Sequence, residues 1–142
     1  MSGRFFLDTT VFVYCFDPSS PAKADLAAGL IRRAIETRAG IVSFQVVQEF
    51  FNVALRRFVK PMTPPDAEHY LATVFRPLLA VHSSQGLYAE ALRLADRYRL
   101  SWYDSLIVAA ALESGCSVLY SEDLQHGFEV GEMRIQNPFH RL

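Results

Sequence analysis

The chain reads as an α/β fold, a three-layer α/β/α sandwich around a central parallel sheet. Three observations carry this reading: short apolar runs of strand length, helical periodicities between them, and Gly or Pro at the joins. Phe5, Phe6 and Leu7 form the first run, apolar at every position as in a strand buried on both faces, and Asp8 with Thr9 and Thr10 ends it. After Pro21, the residues Leu26, Leu30, Ile31, Ala34 and Ile35 recur at helical spacing with Arg32, Arg33 and Arg38 on the other side, and Gly40 stops that helix. Ile41 and Val42 make a second strand. Ser43 caps the next helix, whose apolar positions are Phe44, Val47, Phe51, Ala54, Leu55 and Phe58.

The proline-rich run from Lys60 to Asp66 is a break, and Thr63, Pro64 and Asp66 in it form a capped start for a helix to about Phe75. Leu78–Val81 is a third strand and Ser84–Tyr98 an amphipathic helix through Leu87, Ala91, Leu94 and Ala95. Ser101 opens a strongly apolar helix that runs through Ala111 to Ser114 and ends at Gly115. Val118–Tyr120 is a fourth strand and Met133–Ile135 a weaker fifth. No repeat or linker interrupts the pattern, and 142 residues suit one domain spanning 1–142.

A content of 51% hydrophobic and 20% charged residues supplies a real core and excludes disordered and low-complexity classes. Fourteen Lys plus Arg against fifteen Asp plus Glu leave a net charge of −1, with no bulk pull toward nucleic acid or an anionic membrane. Handling a polyanion would need a local device. Cys15 and Cys116 lack metal-type spacing and read as two buried thiols, which favours a reducing compartment. Met1 to Leu7 reads as a first strand rather than a leader, no run approaches a membrane span, and the expected location is the cytoplasm.

In a parallel α/β sheet, ligands bind beyond the carboxyl ends of the strands. Asp8 follows strand one and Asp123 lies just past strand four, so both fall on that edge. The helices beginning at Ser43 and Ser101 start there too, which brings Glu49 and Asp104 to the same side. Each acid has a plain structural explanation. Asp104 completes a capping box with Ser101, Glu49 is a solvated helix residue, and Asp123 is a loop acid. Asp8 is harder to account for, because a carboxylate behind a buried strand is costly unless paired or bound to metal. Together the four repel, no Lys neighbours any of them in sequence, and a hard divalent cation is the obvious counter-charge. Magnesium keeps waters and favours phosphate ligands, which links such a cluster to phosphoryl or phosphodiester chemistry.

Phosphate-binding Gly-rich loops and the Gly-x-Ser-x-Gly elbow are absent from the sequence. His69, His82, His126 and His140 show no paired ligand spacing, which disfavours zinc and makes them surface or loop histidines. Ser83 and Ser84 read as helix caps rather than nucleophiles.

Four segments then stand out in order: Leu7 to Tyr14; Ser43 with Gln48-Glu49-Phe50; Trp102 to Ala111; and Leu119-Tyr120-Ser121-Glu122-Asp123-Leu124. As an ordered set, from Phe5 to Pro138, they resemble the PIN-domain ribonucleases, which include VapC-type toxins of toxin–antitoxin pairs. The resemblance implies strand order 3-2-1-4-5, with Asp8 and Asp123 flanking a cleft at the switch point. It implies Asp8, Glu49, Asp104 and Asp123 as catalytic acids holding one or two Mg2+ or Mn2+ ions, for metal-dependent hydrolysis of RNA phosphodiester bonds. Ser121 matches the hydroxyl position beside the fourth acid, suited to orienting a water. Thr10 departs from the Asn or Ser common at its position, though its hydroxyl still bonds water.

The resemblance further implies a homodimer and a partner antitoxin that blocks the cleft. Arg56, Arg57 and Lys60, and Arg93, Arg97 and Arg99, offer local positive charge for RNA, but helix C-termini attract cations for their own reasons. Phe50, Phe51 and Phe58 are compatible with such an interface, but core packing accounts for them better. Two other readings stay open. One is a haloacid-dehalogenase-like phosphotransferase using Asp8 as nucleophile, weakened by Thr10 standing where a second Asp belongs. The other is a non-catalytic binding module on the same fold, which the presence of all four acids disfavours.

Overall fold

A computed structural model describes residues 3–142; Met1 and Ser2, at the head of the segment read as strand rather than leader, lie outside the described residues. Helices flank a mostly parallel sheet. Strand β1 (Phe5–Leu7) is central, between β2 (Gly40–Ser43) and β4 (Val118–Tyr120), and β3 (Leu79–Val81) lies outside β2. On the other side β6 (Met133–Gln136) runs parallel to β4, so the five parallel strands stand in the expected order. The sheet adds one element that the expectation lacked: β5 (Glu129–Val130) pairs antiparallel with β6 and extends the edge, giving order 3-2-1-4-6-5. At two residues, with one exposed, β5 is too short to leave a pattern.

A second unexpected element is α1 (Thr9–Tyr14), placed directly after β1 where the sequence suggested only the strand's end. Its residues, TTVFVY, are largely β-branched and poor helix formers. Asp8 stabilises the start by accepting the Thr9 N–H, and burial of Val11 and Phe12 supplies the rest. Helix α2 (Pro21–Thr37) ends differently from expectation. Arg38 takes the left-handed cap at φ 58°, whereas Gly40 serves packing: a Cβ there would lie 2.0 Å from the Ala34 Cβ.

Helix α3 (Phe44–Ala54) stops before Leu55 and Phe58, and its N-cap residue Ser43 makes no side-chain capping bond. Thr63 does cap α4 (Pro64–Tyr70), after which Leu71–Phe75 winds into a π-helical turn and α5 (Arg76–Leu78) leads into β3. Ser84 caps α6 (Gln85–Tyr98) and Ser101 caps α7 (Trp102–Glu113). At the end of α7, Gly115 N–H bonds the Leu112 carbonyl and Cys116 N–H the Ala111 carbonyl, with Gly115 at φ 71°. That is a Schellman stop, which needs a residue free of Cβ strain.

The core holds the whole of β1 together with Phe12, Phe50 and Phe75. Phe50 is fully buried and stacks on Tyr70 at 4.9 Å, with Phe51 and Phe58 in the same aromatic group. The aromatic group therefore packs from the interior outward, with Phe50 in the core and Phe51 and Phe58 half-buried against it. Both cysteines are free thiols, Cys116 buried and Cys15 half-buried. Among the described residues no helix is long and apolar enough to cross a membrane.

Candidate active site

The cleft begins with β1. Because that strand is buried along its length and flanked by parallel neighbours, its carboxyl end delivers Asp8 into the sheet edge, where Asp8 N–H bonds the Tyr120 carbonyl at 3.0 Å. The Asp8 side chain is only 6% exposed. One oxygen accepts the Thr9 N–H at 2.7 Å and the other the Ser121 hydroxyl at 2.7 Å. Ser121 is itself fixed by accepting the Leu124 N–H, so the loop after β4 and the start of α1 share a single carboxylate.

From α3, Glu49 reaches the same cleft and accepts the Thr9 hydroxyl at 2.7 Å. Gln45, one turn before Glu49, donates to the Tyr103 carbonyl at 3.1 Å and so ties α3 to the first turn of α7. In that turn Asp104 N–H bonds the Ser101 hydroxyl, leaving the Asp104 carboxylate toward the cleft. Asp123, from the loop after β4, lines it as well. Asp8, Thr10, Glu49, Asp104 and Asp123 thus border one cavity of about 300 Å³, with Ser121 buried behind Asp8.

The electrostatics record this crowding. Burial pushes the Asp8 carboxyl up to about 6; the Ser121 and Thr9 hydrogen bonds oppose the rise, and the charges of Glu49 and Asp123 add to it. Burial raises Asp123 too, helped by Asp104, Glu122 and Glu49. Next door, burial works against the Glu122 carboxylate, but the hydrogen bonds from Lys23 at 2.8 Å and the Tyr14 hydroxyl at 2.5 Å outweigh it and hold it below the usual range. This Lys23–Glu122–Tyr14 cluster neutralises an acid beside Asp123 without entering the cleft.

The donor set suits a hard cation: all oxygen, with neither thiol nor imidazole among the cleft residues. The buried Thr10 Oγ1, Ser43 Oγ and Gln45 Oε1 lack a hydrogen-bond partner, and Thr10 and Gln45 line the cleft, where water held at an ion would satisfy them. Among the described residues no three His, Cys, Asp or Glu side chains close around one point. Magnesium takes one or two carboxylates and keeps its waters, so that spacing fits it and not a zinc-like cage.

Sequence reasoning missed Thr9, Gln45 and the Lys23–Glu122–Tyr14 cluster. Gln45 was within reach, since it precedes Glu49 by one helical turn. Lys23 was not, because its contact with Glu122 spans 99 residues.

A parallel α/β sheet with an acid-lined cleft at its switch point defines a class of domain whose ligands meet carboxylates at the strand ends. The chain belongs to the PIN domain family, whose model matches residues 5–128. Among solved structures it is similar to VapC20 of Mycobacterium tuberculosis, described as a sarcin–ricin loop cleaving toxin, with TM-score 0.59 and 20% identity over 92% of this chain and 98% of that one. It is similar also to FitAcB from Neisseria gonorrhoeae (TM-score 0.61, 15% identity, 96% and 99% covered). A third is FitAB bound to an IR36 DNA fragment (TM-score 0.62, 16% identity, 96% of each chain covered). At these identities the likeness is one of fold. Comparison with curated proteins returns no match.

Proposed function

We propose that the protein is a divalent-metal-dependent endoribonuclease, a hydrolase of RNA phosphodiester bonds acting as the toxin of a toxin–antitoxin pair. The observation that carries this reading is the convergence of Asp8, Glu49, Asp104 and Asp123 on one cleft in a PIN-family chain. Asp8, Asp104, Glu49 and Asp123 would hold Mg2+ or Mn2+. Bound there, such an ion supplies positive charge against phosphoryl oxygens and acidity to water.

The remaining work falls to the chain. Thr9 N–H and the Ser121 hydroxyl aim the Asp8 carboxylate, the Thr9 hydroxyl aims Glu49, and Thr10 Oγ1 offers a buried hydroxyl to water. The VapC20 and FitAB likenesses support an antitoxin partner, and the proposal includes a homodimer. One continuous core supports a single domain over 1–142, and the two free thiols support a cytoplasmic protein.

The test is direct. Magnesium or manganese should raise the melting temperature of the wild type by several degrees and permit RNA cleavage. Asp104→Asn should abolish both while leaving the far-ultraviolet circular dichroism intact. Cleavage that persists in excess EDTA, or in Asp8→Asn and Asp104→Asn, would falsify the reading.

A further inference from the structure

A second cavity, of about 480 Å³, adjoins the sheet at β4 and β6. It and the carboxylate cleft share β4 at the point where the Tyr120 carbonyl holds Asp8: the Tyr120 side chain lines the second cavity, and Asp8 lines the first. Leu26 and Leu30 of α2 give it an apolar wall. The Tyr120 hydroxyl accepts a hydrogen bond from Arg33 at 3.1 Å, which fixes the ring.

Two histidines, one before and one after the β5–β6 pair, meet at this cavity. His126 and His140 stack with centroids 4.0 Å apart and planes 11° from parallel. His126 Nδ1 accepts the Asn137 N–H at 2.9 Å, so its proton resides on Nε2 and its plane is set by the backbone after β6. Both histidines are exposed at residue level. Gln136 contributes an amide with donor and acceptor, and Arg141 a guanidinium, to the same cavity.

An apolar wall, fixed aromatic and imidazole planes, and an amide and a guanidinium at the edge describe a site for a flat heteroaromatic ring with hydrogen-bonding edges. Bases splayed from single-stranded RNA are recognised by this combination of ring stacking and edge hydrogen bonds. We propose that the cavity between α2, β4 and the segment after β6 is a nucleobase pocket that takes an unstacked base of an RNA strand lying across the sheet edge. Its assignment to RNA rests on the nuclease reading above. It gives that reading a source of base preference, which a carboxylate cleft gripping only the phosphodiester does not have.

The experiment uses the full chain with magnesium and oligonucleotides of a non-hydrolysable RNA analogue, so that RNA is bound without being cut. Four such single-stranded homopolymeric oligonucleotides are titrated while the ring-proton resonances of His126 and His140 are followed, with affinities from fluorescence anisotropy. At least one homopolymer should shift both histidines. His140→Ala should weaken it roughly tenfold, within the range of ring–base stacking, and His140→Phe should restore most of the loss by keeping a plane. Gln136→Ala, which removes only a side-chain amide and leaves the Asn137 N–H that holds His126 in place, should change which homopolymer binds best.

Unshifted resonances, or equal affinities in His140→Ala and wild type, overturn the pocket. So does a free mononucleotide that shifts the histidines while oligonucleotide binding ignores His140→Ala and Gln136→Ala. The two readings fail separately. RNA bound in a His140-dependent way but uncut with magnesium or manganese sinks the nuclease and leaves the pocket; RNA cut normally with no His140 dependence does the reverse.

Discussion

Asp8 is the residue on which the cleft and the stability of the fold meet. Its carboxyl titrates at about 6 in the folded chain against 3.8 ordinarily, so between those values the folded chain holds a proton that the unfolded chain has released. The stabilisation from neutral Asp8 is complete below about pH 4 and is lost as pH rises through about 6. The rise from 3.8 to about 6 corresponds to a ceiling of ~3 kcal/mol. Asp8→Asn should therefore melt higher than wild type at pH 7.5, with the gap closing by pH 4 in thermal melts. Ser121→Ala should act oppositely. It strips a hydrogen bond from a buried carboxylate and a partner from the Leu124 N–H, at a cost of ~1–3 kcal/mol that urea titrations should find larger at pH 7.5 than at pH 4. The four acids were legible as residues because each follows a strand end or opens a helix. What each one leans on, such as Thr9 under Glu49, was not, since hydroxyl geometry leaves no trace in spacing.

At the level of elements, β1 and β4 declared themselves as unbroken apolar triplets, β6 only weakly because Arg134 interrupts it, and the capping serines Ser84 and Ser101 behaved as their spacing suggested. Helix α1 did not, because propensity favours strand across Thr9–Val13 and only the Asp8 cap and tertiary burial reverse it. Gly40 looked like a helix stop and is instead the contact point of α2 and β2. Gly40→Ala should push these elements apart and cost ~2–3 kcal/mol in chemical denaturation, with Ala34→Gly recovering part of the loss in the double variant. Recovery is the discriminating result, since a purely conformational role for Gly40 would make the second change a further loss. The His126–His140 stack lay equally beyond the sequence, for its two rings are brought together by the antiparallel return of the chain onto β6, where Gly127 N–H bonds the Ile135 carbonyl, and by the turn after it.

For the molecule as a whole, a net charge of −1 conceals an uneven distribution: four carboxylates gathered on one edge, arginines scattered over the exposed surface. An RNA strand approaching that edge meets repulsion that a divalent cation reverses. RNA affinity measured with Asp104→Asn, to separate binding from cutting, should thus gain far less from magnesium than the wild type measured with a non-hydrolysable RNA analogue. Equal gains would assign the effect to screening alone. The central position of β1 has a further consequence, in the order of assembly. Asp8 sits near the beginning of the chain, yet its partner Ser121 lies 113 residues later, and β1 has an open side until β4 arrives. A chain emerging from synthesis cannot complete the cleft before β4 and Ser121 have appeared, so whatever chemistry it performs is withheld until that stretch has been made and has folded back onto β1.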